Sequence, residues 1–283
     1  VRKGSAAALC DIRPGDELLA VDGMEIGRKP DAMSPWSMLA RAYLERGAAG
    51  SVCSIRMKNA SDGRVREFKL KRSASGGTFF QAINLPPLVL RYKAWMLTEK
   101  TGCVRFNFSM PEVVRQFRKD LRHGQLKKMR NLVIDLRGNP GGILLTAEWL
   151  GAWSLAKPAL LGTLIVDGVR LTPNIEPQKL GFHGPVAVLI DRDSMSTSEL
   201  FAAAVQDAKA GTVIGEKTPG KCLPSLLLTL RCGYRLQAVT GQALRPSGKS
   251  IEKTGVTPDL TAVNAFPGGK DAVLETAVKF LER

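Results

Sequence analysis

The sequence predicts an α/β protein carrying a smaller, β-rich module at its N-terminal end. Three observations predict it. From residue 101 onward, short and continuously apolar runs alternate with stretches of helical periodicity, as strands buried on both faces and separated by helices do. Residues 1–72 instead alternate β-type runs with turn residues. Between them Ser73–Gly77, with two serines and two glycines, reads as linker. The expected division is therefore 1–72 for the β-rich module, 73–100 for a linker and 101–283 for the core.

In the first module, Glu17–Val21 runs into the turn pair Asp22-Gly23, Ser51–Met57 runs into the polar stretch Asn59–Gly63, and Arg66–Leu70 returns. Ser37–Arg46 spaces Met38, Leu39, Ala42 and Tyr43 as a helix does and meets Gly47 as a stop. The core opens with a strand over Val104–Phe108. Ser109 with Glu112 three residues on is a capping-box pattern for a helix whose face carries Val113, Val114, Phe117 and Leu121. Asn131–Leu136 is a buried strand, followed by Arg137-Gly138-Asn139-Pro140-Gly141-Gly142 and a helix over Leu144–Leu155. Pro185–Ile190, a helix over Glu199–Ala208 and the run Thr212–Ile214 repeat the alternation. Leu226–Leu230 and Tyr234–Val239 are further β-type runs, and Ala272–Leu281 is a last helix.

Composition narrows the function classes. No apolar run approaches the roughly 20 residues a membrane-spanning helix needs. A start at Val1 rather than Met leads one to expect a processed or partial chain. Lys and Arg exceed Asp and Glu by 41 to 26, a net +15, which suits acidic partners and makes an anionic membrane surface a compatible peripheral one. The basic residues lack aromatic interleaving and no zinc-type Cys/His spacing accompanies them, so nucleic acid is not an expected partner. Five cysteines without a CxxC pair indicate neither a disulfide framework nor a metal site, and no cofactor is expected.

Three loops that follow buried strands carry the chemistry. Gly138–Gly142 ends in two adjacent glycines before a helix, so its backbone N–H groups suit an oxyanion or a phosphate, or the loop is simply a tight turn. Ser194-Met195-Ser196-Thr197-Ser198-Glu199 passes from strand to helix. Ser196 with Glu199 fits a capping box, and the same junction suits a nucleophile. The chain holds only His123 and His183 as imidazole bases, one in a basic loop and one before a strand, which disfavours a Ser/His/Asp triad. Lys221, between Thr218-Pro219-Gly220 and Cys222-Leu223-Pro224, is the other base on offer. Desolvated, its amine takes a hydroxyl proton; solvated, it is an ordinary loop lysine. Gly215–Lys221 also matches the Gly-x4-Gly-Lys of a P-loop nucleotide-binding protein, although Cys222 stands where Ser or Thr would hold magnesium and Pro224 opposes the required helix.

Taken in order, these segments resemble the carboxyl-terminal processing peptidases, or tail-specific proteases, over residues 1 to about 260. Gly4-Ser5-Ala6-Ala7 and Arg13–Gly23 are similar to that family's PDZ segment, and Gly102–Phe108 to the strand preceding its core. Asp135–Gly142 resembles its signature loop, Ser194–Leu200 its nucleophile segment, Gly215–Lys221 its lysine loop, and Pro246–Ile251 with Gly255–Asp259 its closing region. The resemblance implies a core of the Clp peptidase/crotonase type behind an incomplete PDZ domain whose first strands precede residue 1. It implies Ser196 as nucleophile, Lys221 as general base 25 residues on, and an oxyanion hole from the N–H groups of Gly142, or Gly141, and Thr197. Peptide bonds near protein C-termini are the implied substrate, with the tails as the bound partner. The implied compartment is the bacterial periplasm or envelope, or the plastid thylakoid lumen. One departure is Ser225, where the family has a glutamine that orients the lysine. It raises a second expectation, a catalytically weak peptide-binding scaffold of the same fold.

Overall fold

The computed structural model describes residues 6–13, 15–26, 50–72, 78–80, 88–231, 235–264 and 270–283. The chain divides into two compact units, residues 1–76 with 266–268 and residues 77–265 with 269–283. In the first unit a single-turn helix, α1 (Ala6–Leu9), precedes β1 (Glu17–Val21), β2 (Met24–Glu25), β3 (Val52–Lys58) and β4 (Val65–Lys71). The strands form one antiparallel sheet in the order β2-β1-β3-β4. Asp22 and Gly23, both at positive φ, make the β1–β2 turn that their sequence predicts. Along β3 Cys53, Ile55 and Met57 are buried in alternation and pack with Ile12, Val21 and Leu70. The helix expected over 37–46 and the linker residues 73–77 lie outside the described residues.

The second unit begins earlier than expected. Residues 73–100 are not a linker throughout: β5 (Thr78–Phe80) pairs with β6 (Leu88–Leu90), and β7 (Tyr92–Met96) is the antiparallel edge of the main sheet. The alternation Leu88, Leu90, Tyr92, Ala94 on the side of one core cluster, with Trp95 on the other, is a strand signal the linker reading passed over. There follow β8 (Thr101–Phe106), α2 (Pro111–His123), β9 (Asn131–Asp135), α3 (Leu144–Ser154), β10 (Ala159–Leu160), β11 (Thr163–Val166), β12 (Val169–Leu171), β13 (Asn174–Ile175), β14 (Val186–Ile190), α4 (Thr197–Asp207) and β15 (Thr212–Gly215). The chain closes with β16 (Ser225–Thr229), β17 (Arg235–Val239), β18 (Gly241–Leu244), β19 (Leu260–Thr261) and α5 (Ala272–Leu281).

The main sheet runs β19-β15-β14-β9-β8-β7, parallel except at β7. Its central strands are buried on both faces, which is why they read as unbroken apolar runs. Leu132, Ile134, Val186, Val188 and Ile190 face α2, α3 and α4 through Phe117, Leu150 and Phe201. Val133, Ala187, Leu189 and Ile214 face α5 through Val273, Ala277 and Leu281. This is helices on both faces of a mostly parallel sheet, the predicted α/β class. The capping box expected at Ser109 does not form. The N-cap is Met110 with Pro111 at the first helical position, and Ser109 instead bridges to Gly142. Among the described residues no helix is long and apolar enough to cross a membrane.

Candidate active site

Sheet order brings the three loops together. β14 lies between β9 and β15, and the parallel strands end at the same side. The Gly138–Gly142 loop leaves β9, the Ser196 loop leaves β14 and the Lys221 loop leaves β15, so the serine is flanked by the other two.

The first loop is fixed from below by charge. Arg137 is buried and forks onto Asp135, with Nε to Oδ1 at 2.9 Å and Nη2 to Oδ2 at 2.8 Å, and onto Asp271 at 2.8 Å for each of two bonds. Above it Asn139 organises the turn. Its side-chain oxygen accepts Gly141 N–H at 2.9 Å, its amide donates to Phe106 O at 3.1 Å, and its carbonyl accepts Met195 N–H at 3.0 Å. Gly141 is buried with its N–H thus committed, whereas Gly142 is exposed and, among the described residues, no hydrogen bond takes up its N–H. Both must be glycine. Gly141 has φ +94°, and a Cβ there would lie 2.7 Å from Ser196 Cβ; Gly142 has φ +148°, and its Cβ would lie 2.3 Å from Ser109 O.

Of the three serines in the second loop, two are tied to the first. Ser194 Oγ donates to Leu136 O at 2.8 Å and accepts Asp191 N–H at 2.9 Å, and Ser198 Oγ donates to Asn139 O at 3.1 Å. Ser196, half-buried at the N-cap of α4, is the distinctive one: its backbone sits at φ 53°, ψ −120°, a region that a residue with a Cβ rarely adopts. Thr197 stands in the first turn of α4, where N–H groups lack intrahelical partners, and its Oγ1 donates to Gly142 O at 2.9 Å. The two expected oxyanion donors are thus fastened to each other.

Glu199 joins the second and third loops. The carboxylate is fully buried (0% exposed) and accepts four hydrogen bonds: Thr218 Oγ1 at 2.6 Å and Gly220 N–H at 2.7 Å on one oxygen, Lys221 N–H at 2.9 Å and Ser196 N–H at 3.0 Å on the other. Burial raises its carboxyl above the ordinary value, and the four donors oppose that rise. Ser196 N–H is shared with Lys221 O, also at 3.0 Å. The third loop is backed by the closing region: Thr218 Oγ1 accepts Val256 N–H at 2.7 Å, and a Cβ on Gly220 would meet Gly255 N at 2.7 Å. Cys222 is buried beside the nucleophile loop, its thiol 3.5 Å from Ser196 O. Burial pushes that thiol well up, so it is a packed and inert neighbour.

The backbones of Ser196 and Lys221 are therefore joined directly, through Ser196 N–H and the Lys221 carbonyl. Lys221 is exposed rather than desolvated, and among the described residues no hydrogen bond joins its Nζ to Ser196 Oγ. Ser225, also exposed, opens β16 and accepts Gln237 Nε2 at 2.8 Å. The histidines lie at the far ends of their elements. His183 precedes β14, whose five residues span about 17 Å to the serine's end, and His123 closes α2, about 20 Å from the Ser109 end that bridges to Gly142. The P-loop reading fails on two counts. A strand, β16, follows Lys221 instead of a helix, and the Gly220 and Lys221 N–H groups that would cradle a phosphate hold Glu199. Sequence reasoning saw Glu199 only as half of a capping box. The signal that could have found its larger part is its place, one carboxylate immediately before the apolar stretch Leu200–Val205.

A parallel sheet with helices on both faces and these loops at its strand ends defines the class, an α/β core. The fold is similar to a solved structure titled photosystem II D1 C-terminal processing protease, with a TM-score of 0.64 at 22% identity over 96% of this chain and 69% of that one. It is also similar to mature CPAF, at 0.56 and 16% over 96% and 76%. The chain belongs to Peptidase family S41, whose profile matches residues 89–262, more than half its length. Its relatives include the carboxyl-terminal-processing protease of Synechocystis sp., 26% identical over 90% of this chain and 56% of that protein. Another is the carboxy-terminal processing protease CtpB of Bacillus subtilis, 26% identical over 91% and 50%. The chain thus spans about half the length of the curated relatives it matches.

Proposed function

We propose that this chain is a serine endopeptidase that cleaves polypeptides near their C-termini, with Ser196 as nucleophile and Lys221 as general base. The observation that carries the reading is the backbone of Ser196, held at φ 53° between two loops that supply the other expected groups. Such strain costs on the order of 1–3 kcal/mol and persists only where the surroundings enforce it. Neutral Lys221 takes the Oγ proton as Oγ attacks the scissile carbonyl. Gly142 N–H and Thr197 N–H, near the positive end of α4, receive the oxyanion, and the lysine returns its proton to the leaving amine. The Lys221 carbonyl already accepts Ser196 N–H, which holds the two residues backbone to backbone, and the reading requires Nζ to turn to Oγ as substrate binds and excludes water. The names of the relatives, which are bacterial and chloroplastic carboxyl-terminal-processing proteases, support protein tails as the substrate class and a bacterial or plastid setting. The β-rich unit at 1–72 is read as part of a PDZ domain that captures those tails.

The test is cleavage of an unfolded-tail substrate by Ser196→Ala and Lys221→Ala proteins of native fold. Both should be inactive, and undiminished cleavage by either would overturn the assignment. A second reading, a peptide-binding scaffold with little catalysis, is favoured by the exposed Lys221 side chain. Tail binding without turnover in the unaltered protein would select it.

A further inference from the structure

A lysine that serves as base has a particular hydrogen-bonding problem. The neutral amine has one lone pair, which must face the serine O–H, and two N–H donors that need acceptors elsewhere. Without them the amine is held by a flexible four-carbon stem carrying about 2 kcal/mol of rotamer entropy. Among the described residues no ion pair or hydrogen bond takes up Lys221 Nζ.

The chain provides acceptors immediately downstream. From Lys221 it passes through Cys222-Leu223-Pro224 into β16 and returns along β17, and Thr240 N–H closes the hairpin on Pro224 O at 2.9 Å. Ser225 pairs with Val239, so Gln237, two residues along, shares the face of Ser225. Its Nε2 donates to Ser225 Oγ at 2.8 Å. That bond uses one of the two hydroxyl lone pairs and fixes the hydroxyl in place. The second lone pair, and Gln237 Oε1, take up no hydrogen bond among the described residues, and both side chains are exposed on the strand pair that grows out of the lysine loop.

We propose that Gln237, acting through Ser225, is a positioning residue for Lys221: when Nζ turns to Ser196, Ser225 Oγ and Gln237 Oε1 accept its two N–H groups and aim the lone pair at Oγ. The inference rests on the Ser/Lys reading. Neither residue touches the substrate; each orients the base.

The experiment measures kcat, KM and the pH profile of kcat on a tail peptide for Gln237→Ala, Ser225→Ala and the double variant. Each single variant should lose roughly tenfold in kcat with KM little changed, and the double should lose no more than the worse single, since the two act as one unit. The limb of the profile that reports the base should move with them. Ser225→Gln in the Gln237→Ala background should restore kcat, because it returns a side-chain amide to the same strand pair. Wild-type kcat and profile in Gln237→Ala, with Lys221→Ala inactive, would overturn this inference alone. So would a loss accompanied by a lower Tm, an unmoved profile and no rescue, which marks a merely structural hairpin contact. Retained cleavage by Lys221→Ala would instead sink the Ser/Lys reading beneath it.

Discussion

Glu199→Gln is the most informative single-atom change in the site. The carboxylate receives four donors and offers none in return. An amide can face them in two ways. With its nitrogen on the Ser196 side, Lys221 N–H loses its acceptor, while Ser196 N–H keeps the Lys221 carbonyl. With its nitrogen on the Thr218 side, Thr218 Oγ1 can turn to accept, and only Gly220 N–H is stranded. Either arrangement strands one backbone donor, which costs about 1–3 kcal/mol. Against a total stability of about 5–15 kcal/mol the variant should still fold. The Ser196 and Lys221 loops, however, lose the anion that binds them together. We expect a urea unfolding midpoint lowered by about 1–3 kcal/mol equivalent at constant slope, and a kcat reduced at least tenfold with KM within a few-fold. Glu199→Ala, which strands the Gly220 and Lys221 N–H groups together, should be worse in both respects. A Glu199→Gln protein within about 0.5 kcal/mol of the parent and fully active would refute the view that this carboxylate organises the site.

Three other expectations follow from the same geometry. Ser196→Gly relieves the backbone strain that Ser196→Ala retains, so the glycine variant should be the more stable of two inactive proteins by about 1 kcal/mol or more, a Tm gap of about 2–4 °C for a domain of this size; equal Tm values would show the strain to be absent. Gly142→Ala puts a Cβ 2.3 Å from Ser109 O, so it should abolish cleavage and break the Ser109–Gly142 bridge, seen as faster amide exchange at Ile143; normal turnover would remove Gly142 from the oxyanion site. Burial alone would raise the Asp271 carboxyl, but hydrogen bonds from Arg137 and Leu274 N–H outweigh it and hold the group below the ordinary range. Its contribution is therefore complete above the unfolded carboxylate value of about 4 and is lost as pH falls through the lower folded one. Asp271→Asn should cost stability at pH 7, and the gap to the parent should close in acid; a gap constant with pH would contradict this.

The core was legible because its strands are buried on both faces. Asn131–Asp135 and Val186–Ile190 admit only apolar or locally satisfied residues, so their runs stand out whatever surrounds them. β7 was missed because it lies at an edge and mixes Lys93 with Trp95 and Met96, which weakens the apolar signal. The failed capping box at Ser109 has a different cause: Ser109 is drawn into the bridge with Gly142, a partner 33 residues away, and tertiary pairing overrides a local preference. The three site loops could be read from glycine and serine spacing, since tight approach and positive φ constrain residue type. What spacing could not supply was direction. Nothing in Thr218–Pro224 says that the lysine side chain points to solvent while its N–H and carbonyl bind the serine loop. Nor does local sequence say that Gln237 crosses the hairpin to Ser225.

The central claim is that Ser196 is a nucleophile activated by Lys221. Treating the protein with a fluorophosphonate and mapping the adduct by peptide mass spectrometry tests it most directly. A single adduct on Ser196, lost in Lys221→Ala, is the expected result. An adduct on another serine, or labelling of Ser196 at the same rate without Lys221, would contradict it.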